Sequence, residues 1–449
     1  MELPAGYSRD VTFLTFFPSN PKPVQNVTTE LLTDSTCPNC WTDFPVENVK
    51  WISAHEDLMG DYRLGADSNQ RFRPTRFDIN GNAIDVKGLS CQDFCCPNCH
   101  LKIPRSVLVF RSFLLSIAGT PSCGKSFYLA ALAWKIRQTL PKFFNLLVSD
   151  SDGECNKILN SYEDQLFFSS DKSGLVKLAK TDVTGDWYSV VQYADQAVTY
   201  PKPFYFDLRP SEDHFNSELT RKLSRLLCVY DNAGESFLPG ADTVSNPVTR
   251  HLGIAQSWLF CFDPTQDPRF RRALKGKSND HQVNDSPVTA RQESVLNEMV
   301  NRIRKHSELG LKDKSKKPLI VVCTKYDAWS ELIGDLPQPW AYSEKLKCNL
   351  LDMDKVEFVS DQMKEILVRL CPEVVSSSKS ISDLVYFIPV SATGDSPVKD
   401  PQSGEFRIRT DFINPVWCEV PLLLALAHRA PRLVKVARRG PAPPGTDES

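Results

Sequence analysis

The chain has 449 residues, enough for two or three domains, and its 41% hydrophobic and 24% charged residues are typical of a globular protein. The formal net charge of −2 excludes an overall field that would favour nucleic acid or a membrane surface. The apolar stretch 107–118 is interrupted by Arg111, so no membrane span is predicted. The first residues lack a basic segment followed by an apolar one, so no secretory signal is predicted.

The chain contains fourteen cysteines, which could form disulfides or remain reduced. Four of them form two Cys-Pro-Asn-Cys pairs, and others, such as Cys228, Cys261 and Cys323, lie singly inside apolar runs. This usage favours a reducing compartment and a metal site. We therefore expect a cytoplasmic location.

The two pairs lie at residues 37–40 and 96–99. Two Cys-x-x-Cys units supply the four thiolates that hold structural Zn²⁺ in a tetrahedron, and the turn aims backbone N–H groups at the first thiolate. The long gap between the pairs predicts an insertion between two zinc knuckles. The predicted zinc ligands are Cys37, Cys40, Cys96 and Cys99. Cys91, Cys95 and His100 are nearby alternates, and a redox Cys-x-x-Cys is a weaker interpretation.

The insertion, residues 51–88, is rich in Arg, Asp and Gly, and its arginines at 71, 73 and 76 alternate with Phe72 and Phe77. Such a stretch could bind nucleic acid or a partner. A solvated loop held by two aromatic rings is the favoured interpretation. Residues 1–36 include a β-like patch at 11–17, to which no role is assigned.

Residues 116–126 read SIAGTPSCGKS and contain the phosphate-loop pattern Gly-x-x-x-x-Gly-Lys-Ser. The apolar residues before the loop predict a buried strand, and the spacing over 127–140 predicts a helix. Lys125 would reach the β- and γ-phosphates, and the Ser126 hydroxyl would hold Mg²⁺. The predicted phosphate-binding residues are Gly119, Thr120, Pro121, Ser122, Cys123, Gly124, Lys125 and Ser126.

From Arg111 onward, strand and helix patterns alternate, which predicts an α/β sheet. The predicted strands are residues 204–208, 226–230, 258–262, 319–323 and 384–390, and an apolar helix over 416–428 closes the domain. Residues 431–449 are predicted to be a disordered tail, because the end of the chain is rich in Pro, Gly and charged residues.

Asp231 closes the strand at 226–230 and is followed by Asn-Ala-Gly-Glu. A carboxylate at this point can organise Mg²⁺, and the Gly234 N–H can approach a γ-phosphate. Glu235 follows, and its carboxylate could either activate the attacking water or repel the phosphate. Asp231 and Ser126 are therefore the predicted magnesium residues.

Two further motifs follow later strands. Residues 324–327 read Thr-Lys-Tyr-Asp, and the Asp327 carboxylate can accept hydrogen bonds from guanine N1–H and the 2-amino group, a pair of donors that adenine lacks. The Lys325 stem can lie along the base. Backbone N–H groups of Ser391, Ala392 and Thr393 could meet the guanine oxygen. Thr324, Lys325 and Asp327 are thus predicted to select GTP over ATP.

In order, these four motifs resemble those of the TRAFAC-class (Ras-like) P-loop GTPases, over residues 109–430. The resemblance implies a mixed, mostly parallel sheet with helices on both faces and one antiparallel edge strand, here 204–208. With the cysteine pairs in front, the chain more specifically resembles the bacterial double-GTPase domain family, found in multi-gene conflict or signalling systems. The expected domains are residues 1–108 with the zinc ribbon, the GTPase domain at 109–430 and the tail at 431–449.

The chain departs from the family at several positions. Glu235 stands where Ras-like proteins have glutamine, and Pro121 and Ser122 stand where many relatives have glycines. The switch threonine is assigned to Thr181, with Thr184 and Thr199 as alternatives.

The expected function is a GTP-hydrolysing switch with a slow intrinsic rate, in which Lys125, Glu235 and Thr181 are catalytic. Two alternatives remain: a GTP-binding module with little hydrolysis, and a zinc-ribbon nucleic-acid-binding protein regulated by nucleotide. The expected cofactors are Mg²⁺ and Zn²⁺. Protein partners are expected, whereas nucleic acid is not.

Overall fold

A computed structural model describes residues 31–168, 175–176, 187–232, 237, 249–278, 280–285, 291–400 and 406–438. Several residues that the sequence singles out lie outside these ranges: residues 11–17, Thr181, Thr184, Gly234 and Glu235.

Between residues 31 and 110, the structure contains ten short strands. They are β1 (Asp34–Thr36), β2 (Asp43–Pro45), β3 (Lys50–Ile52), β4 (Met59–Asp61), β5 (Gly65–Asn69), β6 (Arg71–Phe72), β7 (Ala83–Ile84), β8 (Ser90–Cys91), β9 (Phe94–Cys95) and β10 (Lys102–Ile103). Strands β10, β9, β3 and β6 form a small sheet in that order, and β1–β2, β4–β5 and β7–β8 form antiparallel ribbons.

The insertion between the cysteine pairs is therefore built of strands, not the loop that its composition predicts. Two of its arginines form hydrogen bonds within the N-terminal region: Arg71 Nε donates to His100 O and Arg76 Nη2 donates to Asp85 O, both at 3.1 Å.

The remainder of the chain alternates strands and helices. Its first half contains β11 (Arg111–Gly119), α1 (Lys125–Phe144), β12 (Leu146–Asp150), α2 (Lys157–Phe167), β13 (Leu175–Val176), β14 (Tyr188–Tyr193), β15 (Gln196–Pro201), β16 (Phe204–Pro210), α3 (Thr220–Leu223), β17 (Arg225–Asp231) and α4 (His251–Ile254).

Its second half contains β18 (Ser257–Phe262), α5 (Pro268–Leu274), α6 (His281–Asp285), α7 (Gln292–His306), β19 (Leu319–Cys323), β20 (Trp340–Ser343), β21 (Cys348–Asp352), α8 (Met353–Leu370), α9 (Pro372–Ile381), β22 (Val385–Pro389), β23 (Val398–Lys399), β24 (Phe406–Arg409), α10 (Val420–Arg429) and β25 (Val436–Ala437).

Seven strands form the central sheet in the order β12-β16-β17-β11-β18-β19-β22. Strands β17, β11, β18, β19 and β22 are parallel to their neighbours in this series, and β16 is antiparallel to both β12 and β17. The antiparallel orientation of the strand at 204–208 is thus confirmed. Its predicted place at the edge is wrong, because β12 pairs with it and forms the edge instead.

Helices cover both faces of this sheet, as expected for the fold class. Successive strand residues point to opposite sides, so Leu115 joins the core beneath α1 and α10, whereas Leu114 joins the core beneath α7 and α9. The core beneath α7 and α9 also contains Trp41. The cysteine-rich region, residues 31–110, therefore covers part of that face of the sheet.

The end of the chain is folded further than its composition suggests. Leu433 and Val434 are buried, and β25 pairs in parallel with β21. The prediction of a tail from residue 431 is therefore wrong as far as residue 438, because apolar side chains there join the core. Among the described residues, no helix is both long and apolar enough to cross a membrane.

Candidate nucleotide site and cysteine cluster

The phosphate loop joins β11 to α1. A Cβ at Gly119 would lie 2.7 Å from Cys261 O, so only glycine allows this approach to β18. Gly124 and Ser122 adopt positive φ values of 90° and 61°, and Ser122 thus takes a conformation usually left to glycine. The chain curls as a phosphate loop requires, even though two residues differ from the usual glycines.

Lys125 begins α1 and is largely buried. Its ammonium Nζ donates to Gly119 O at 3.1 Å and to Thr120 O at 3.3 Å, so the side chain folds back over the loop. Ser126 follows in the first turn of the same helix. The helix N-terminus and the ammonium together provide positive charge at the loop.

Asp231 is the last residue of β17 and lies opposite Ile117 of β11 in the parallel register. This register brings its buried carboxylate to the carboxyl end of the parallel strands, where the phosphate loop begins. Of the proposed switch threonines, only Thr199 is described, and it lies in β15 opposite Val190. That hairpin packs on the cysteine-rich region through Tyr200 and Trp41, whose ring centroids are 5.4 Å apart.

The residues predicted to bind guanine lie beside the loop. Thr324 Oγ1 donates to Cys123 O at 2.7 Å and thereby joins the end of β19 to the phosphate loop. Lys325 adopts a left-handed conformation with φ of 56°, and its ammonium lies 2.6 Å from the Asp263 carboxylate.

The Asp327 carboxylate accepts hydrogen bonds from the Ser391 hydroxyl on one oxygen and from Gln282 Nε2, at 3.0 Å, on the other. Burial raises the pKa of Asp327 to about 6. Ser391 Oγ in turn accepts the Gly394 N–H at 2.7 Å. The structure thus brings Asp327 and Ser391 together. The Ser391 N–H, predicted to meet the guanine oxygen, instead donates to Val416 O at 3.1 Å. The proposed contacts of Ala392 and Thr393 with the base remain predictions.

Sequence reasoning missed three residues at this site. Asp263 directly follows β18, and the Gln292 side chain bonds to both its backbone N–H and its carbonyl oxygen, at 2.7 and 2.8 Å. Gln266 Nε2 donates to Pro121 O at 3.2 Å. The sequence could have indicated Asp263, since it is a carboxylate directly after an apolar strand. Gln266 and Gln282 lie in a polar stretch that has no such signal.

The P-loop GTPase fold is seen here. The phosphate loop, Asp231, Asp263, Thr324 and Ser391 all lie at or just after the carboxyl ends of parallel strands, where open α/β sheets bind their ligands.

Three similar solved structures each contain a guanine nucleotide. The Ski7 GTPase-like domain of S. cerevisiae, bound to GTP, is 12% identical, with 63% of this chain and 43% of that chain covered and a TM-score of 0.25. A variant of Era from Aquifex aeolicus, bound to GDP and AlF4−, is 15% identical, with 63% and 52% covered and a TM-score of 0.21.

The SRb-GTP/SRX complex from Chaetomium thermophilum is 12% identical, with 63% and 95% covered and a TM-score of 0.25. This chain thus spans about half the length of the first two. Searches of protein-family models and of curated proteins found no match.

The four predicted zinc ligands meet in one buried cluster, with their sulfur atoms all within 4.8 Å of one another. The Sγ–Sγ distances are 3.8 Å for Cys37–Cys99 and 3.7 Å for Cys40–Cys96. Four sulfurs about 2.3 Å from a tetrahedral Zn²⁺ would be about 3.8 Å apart. The cluster therefore fits a zinc ion.

Backbone geometry also suits a thiolate site. The Asn39 N–H donates to Cys37 Sγ at 3.4 Å, and the Asn98 N–H donates to Cys96 Sγ at 3.3 Å. The predicted alternates lie elsewhere: Cys91 Sγ approaches Asp85, and His100 Nδ1 bonds to the Asp61 carboxylate at 2.8 Å.

Proposed function

We propose that this chain is a molecular switch that binds GTP with Mg²⁺ and hydrolyses it to GDP and phosphate. The observation that carries the proposal is that the phosphate loop, Asp231, Asp327 and Ser391 all lie at the carboxyl end of the parallel strands. Thr324 donates a hydrogen bond to the phosphate loop, and Ser391 donates one to Asp327. We further propose a place in a bacterial conflict or signalling system, supported only by the order of cysteine pairs and GTPase motifs.

In this proposal the chemistry is electrostatic. Lys125 and the loop N–H groups stabilise the charge on the γ-phosphate. Ser126 and Asp231 would hold Mg²⁺, which would supply further neutralisation of the phosphate charge. Thr181 and Glu235 are proposed to complete the catalytic set, with Thr181 contacting Mg²⁺ and Glu235 positioning water.

The guanine preference is tested with Asp327→Asn. Replacing an acceptor with a donor should weaken GTP binding and favour xanthine nucleotides, whose 2-oxo group accepts a hydrogen bond. Calorimetric titrations with GTP, XTP and ATP on both proteins measure the change, with ATP as the reference that neither protein favours. Equal wild-type affinities for GTP and ATP would contradict the proposal.

Hydrolysis is tested by single-turnover phosphate release. If Glu235 activates water, Glu235→Ala should slow release by about 10²- to 10⁴-fold without changing the affinity for a non-hydrolysable analogue. If its charge repels the phosphate, Glu235→Gln should instead tighten GTP binding. Lys125→Ala should impair both binding and release. A wild-type rate equal to that in buffer would leave a GTP-binding module without hydrolysis.

A further inference from the structure

The two cysteine knuckles share one backbone design. In each, the residue after the second cysteine, Trp41 or His100, has a left-handed φ of 60° or 61°. Its N–H donates to the carbonyl of the first cysteine of its own knuckle, at 2.9 Å for Trp41 and 3.1 Å for His100. The side chains of Trp41 and His100, however, contact different parts of the molecule.

The second knuckle is tied to the N-terminal region itself. His100 bonds to Asp61 through Nδ1, and its Nε2 lies 2.7 Å from Lys50 Nζ. The first knuckle is tied instead to the nucleotide sheet. Trp41 Nε1 donates to Tyr230 Oη at 3.3 Å, and Tyr230 Oη donates to Pro38 O.

Tyr230 directly precedes Asp231, the proposed magnesium residue, and is fully buried. Its ring stacks on His251, with centroids 4.3 Å apart and planes 9° apart. Trp41 completes this aromatic cluster, with its ring centroid 5.7 Å from that of His251. The residue before Asp231 is thus held from two sides by the first knuckle and α4.

Asn232 directly follows Asp231 and is held from the other direction. His251 Nε2 lies 3.1 Å from Asn232 Oδ1, and Asn232 Nδ2 donates to Ile117 O at 2.9 Å and to Ser116 Oγ at 3.2 Å. Since the Asn232 amide nitrogen bonds to β11, its oxygen faces His251, which therefore carries its proton on Nε2. Both neighbours of Asp231 are thereby connected to His251.

We propose that the first knuckle positions Asp231 through Tyr230 and His251, so that metal binding at the cysteine cluster is coupled to Mg²⁺–nucleotide binding. The inference rests on the proposed function, which gives Asp231 its role toward Mg²⁺. Tyr230 and His251 are positioning residues. A carboxylate whose two chain neighbours are fixed loses less conformational freedom when it orders around a cation. Thermodynamic coupling is reciprocal, so Mg²⁺–GDP must equally tighten zinc binding.

The test variant is Tyr230→Phe, which keeps the ring stacked on His251 and removes the hydroxyl that contacts the knuckle. Binding of a fluorescent GDP analogue is titrated with and without Mg²⁺ on the full chain. The free Mg²⁺ needed for half of the Mg²⁺-induced tightening should rise about 2- to 10-fold, the effect of one buried hydrogen-bonding group. Affinity without Mg²⁺ should stay unchanged.

Tyr205→Phe is the matched control. Tyr205 is also buried in the central sheet, on β16, and its Oη donates to Asn39 Oδ1 of the same knuckle at 3.2 Å. It does not adjoin Asp231, so Tyr205→Phe should leave the Mg²⁺ requirement unchanged. Equal shifts in both variants, or no shift in Tyr230→Phe, would overturn the inference.

A second measurement avoids nucleotide affinity as the readout. Zinc affinity is measured at equilibrium by competition with a chromogenic chelator, in the presence of saturating GDP with or without Mg²⁺. Wild type should hold zinc more tightly with Mg²⁺, and Trp41→Phe, which lacks the indole N–H, should lose most of that difference. A wild type whose zinc affinity ignores Mg²⁺–GDP refutes the coupling.

Failure of the two proposals can be told apart. Wild type that binds GDP equally with and without Mg²⁺ would remove the role of Asp231 and contradict both. Wild type that binds GDP more tightly with Mg²⁺, beside a Tyr230→Phe variant of identical Mg²⁺ requirement, would contradict only the coupling.

Discussion

Asp327 shows how the sequence motif depends on its surroundings. Its carboxylate is proposed to accept the guanine donors, and in the structure it accepts hydrogen bonds from Ser391 and Gln282. Removal from water opposes its charge, and the pKa rises from 3.8 to about 6. The group proposed to select the base therefore has a pKa not far below neutral pH.

We expect guanine affinity to fall as the pH drops below about 6. A raised pKa means that the protonated form becomes abundant on acidification, and a protonated carboxyl loses acceptor capacity for N1–H and the 2-amino group. Guanine donors favour the ionised form, so affinity should fall by about tenfold between pH 7.5 and pH 5. Calorimetry or nucleotide fluorescence at each pH provides the measurement.

Nucleotide phosphates also titrate near this pH, so the readout is the affinity of wild type relative to Asp327→Asn at each pH. The asparagine amide does not ionise, and phosphate titration cancels in the ratio. A ratio that stays constant from pH 7.5 to pH 5 would show that Asp327 does not cause the loss.

The two cysteine knuckles connect distant segments of the N-terminal region. Each supplies two thiols to the cluster, and strands β3 and β9 lie between them in the chain. Apparent binding free energies of such four-thiolate sites are about 10–16 kcal/mol, comparable with the stability of a whole domain. Metal binding should therefore contribute strongly to folding here.

We expect one zinc per chain and its loss in Cys96→Ser. The hydroxyl cannot replace a thiolate in the tetrahedral set, so the knuckles should open and the chain should lose stability. Cys95→Ser is the matched control, because Cys95 is a buried neighbour of Cys96 outside the cluster. Elemental mass spectrometry and chemical denaturation measure both proteins. Full zinc content in Cys96→Ser would exclude that residue as a ligand.

The whole molecule is joined across its predicted domain boundary at residue 108. Trp41 of the first knuckle belongs to the same core as Tyr230, Leu252 and Trp258 of the nucleotide part. Polar contacts cross the same boundary, including Ser106 Oγ to Asp207 Oδ2 at 2.8 Å and Lys102 Nζ to Glu154 at 3.2 Å. The proposed division at residues 1–108, 109–430 and 431–449 thus separates sequence motifs. The segments before and after residue 108 nevertheless pack against each other in one core.

We therefore expect a single cooperative unfolding transition for the zinc-loaded chain. Separating the two parts would expose Trp41 and Tyr230 to water, and such fully buried aromatic groups dominate interface energies. Differential scanning calorimetry, compared with tryptophan fluorescence and circular dichroism, provides the measurement. Two resolved transitions, one of them lost with zinc, would instead show that the parts unfold independently.

Local features of the fold could be predicted directly from the residue pattern. The strand predicted at residues 319–323 coincides with β19, and the one predicted at 258–262 differs from β18 by one residue. The phosphate loop and the cysteine pairs were readable because their chemistry depends on residues close together in the chain. The order of these motifs then predicted which end of the sheet would carry the site.

Contacts between segments far apart in the chain could not be predicted from the sequence. β12 occupies the edge predicted for β16, and the chain end folds back as β25, because both find partners far away in sequence. Gln282 reaches Asp327 from α6, and Tyr230 meets Pro38 across 192 positions. No local periodicity encodes such contacts. Such contacts depend on how the elements pack together. The residue pattern indicates which faces are buried, but not which faces they pack against.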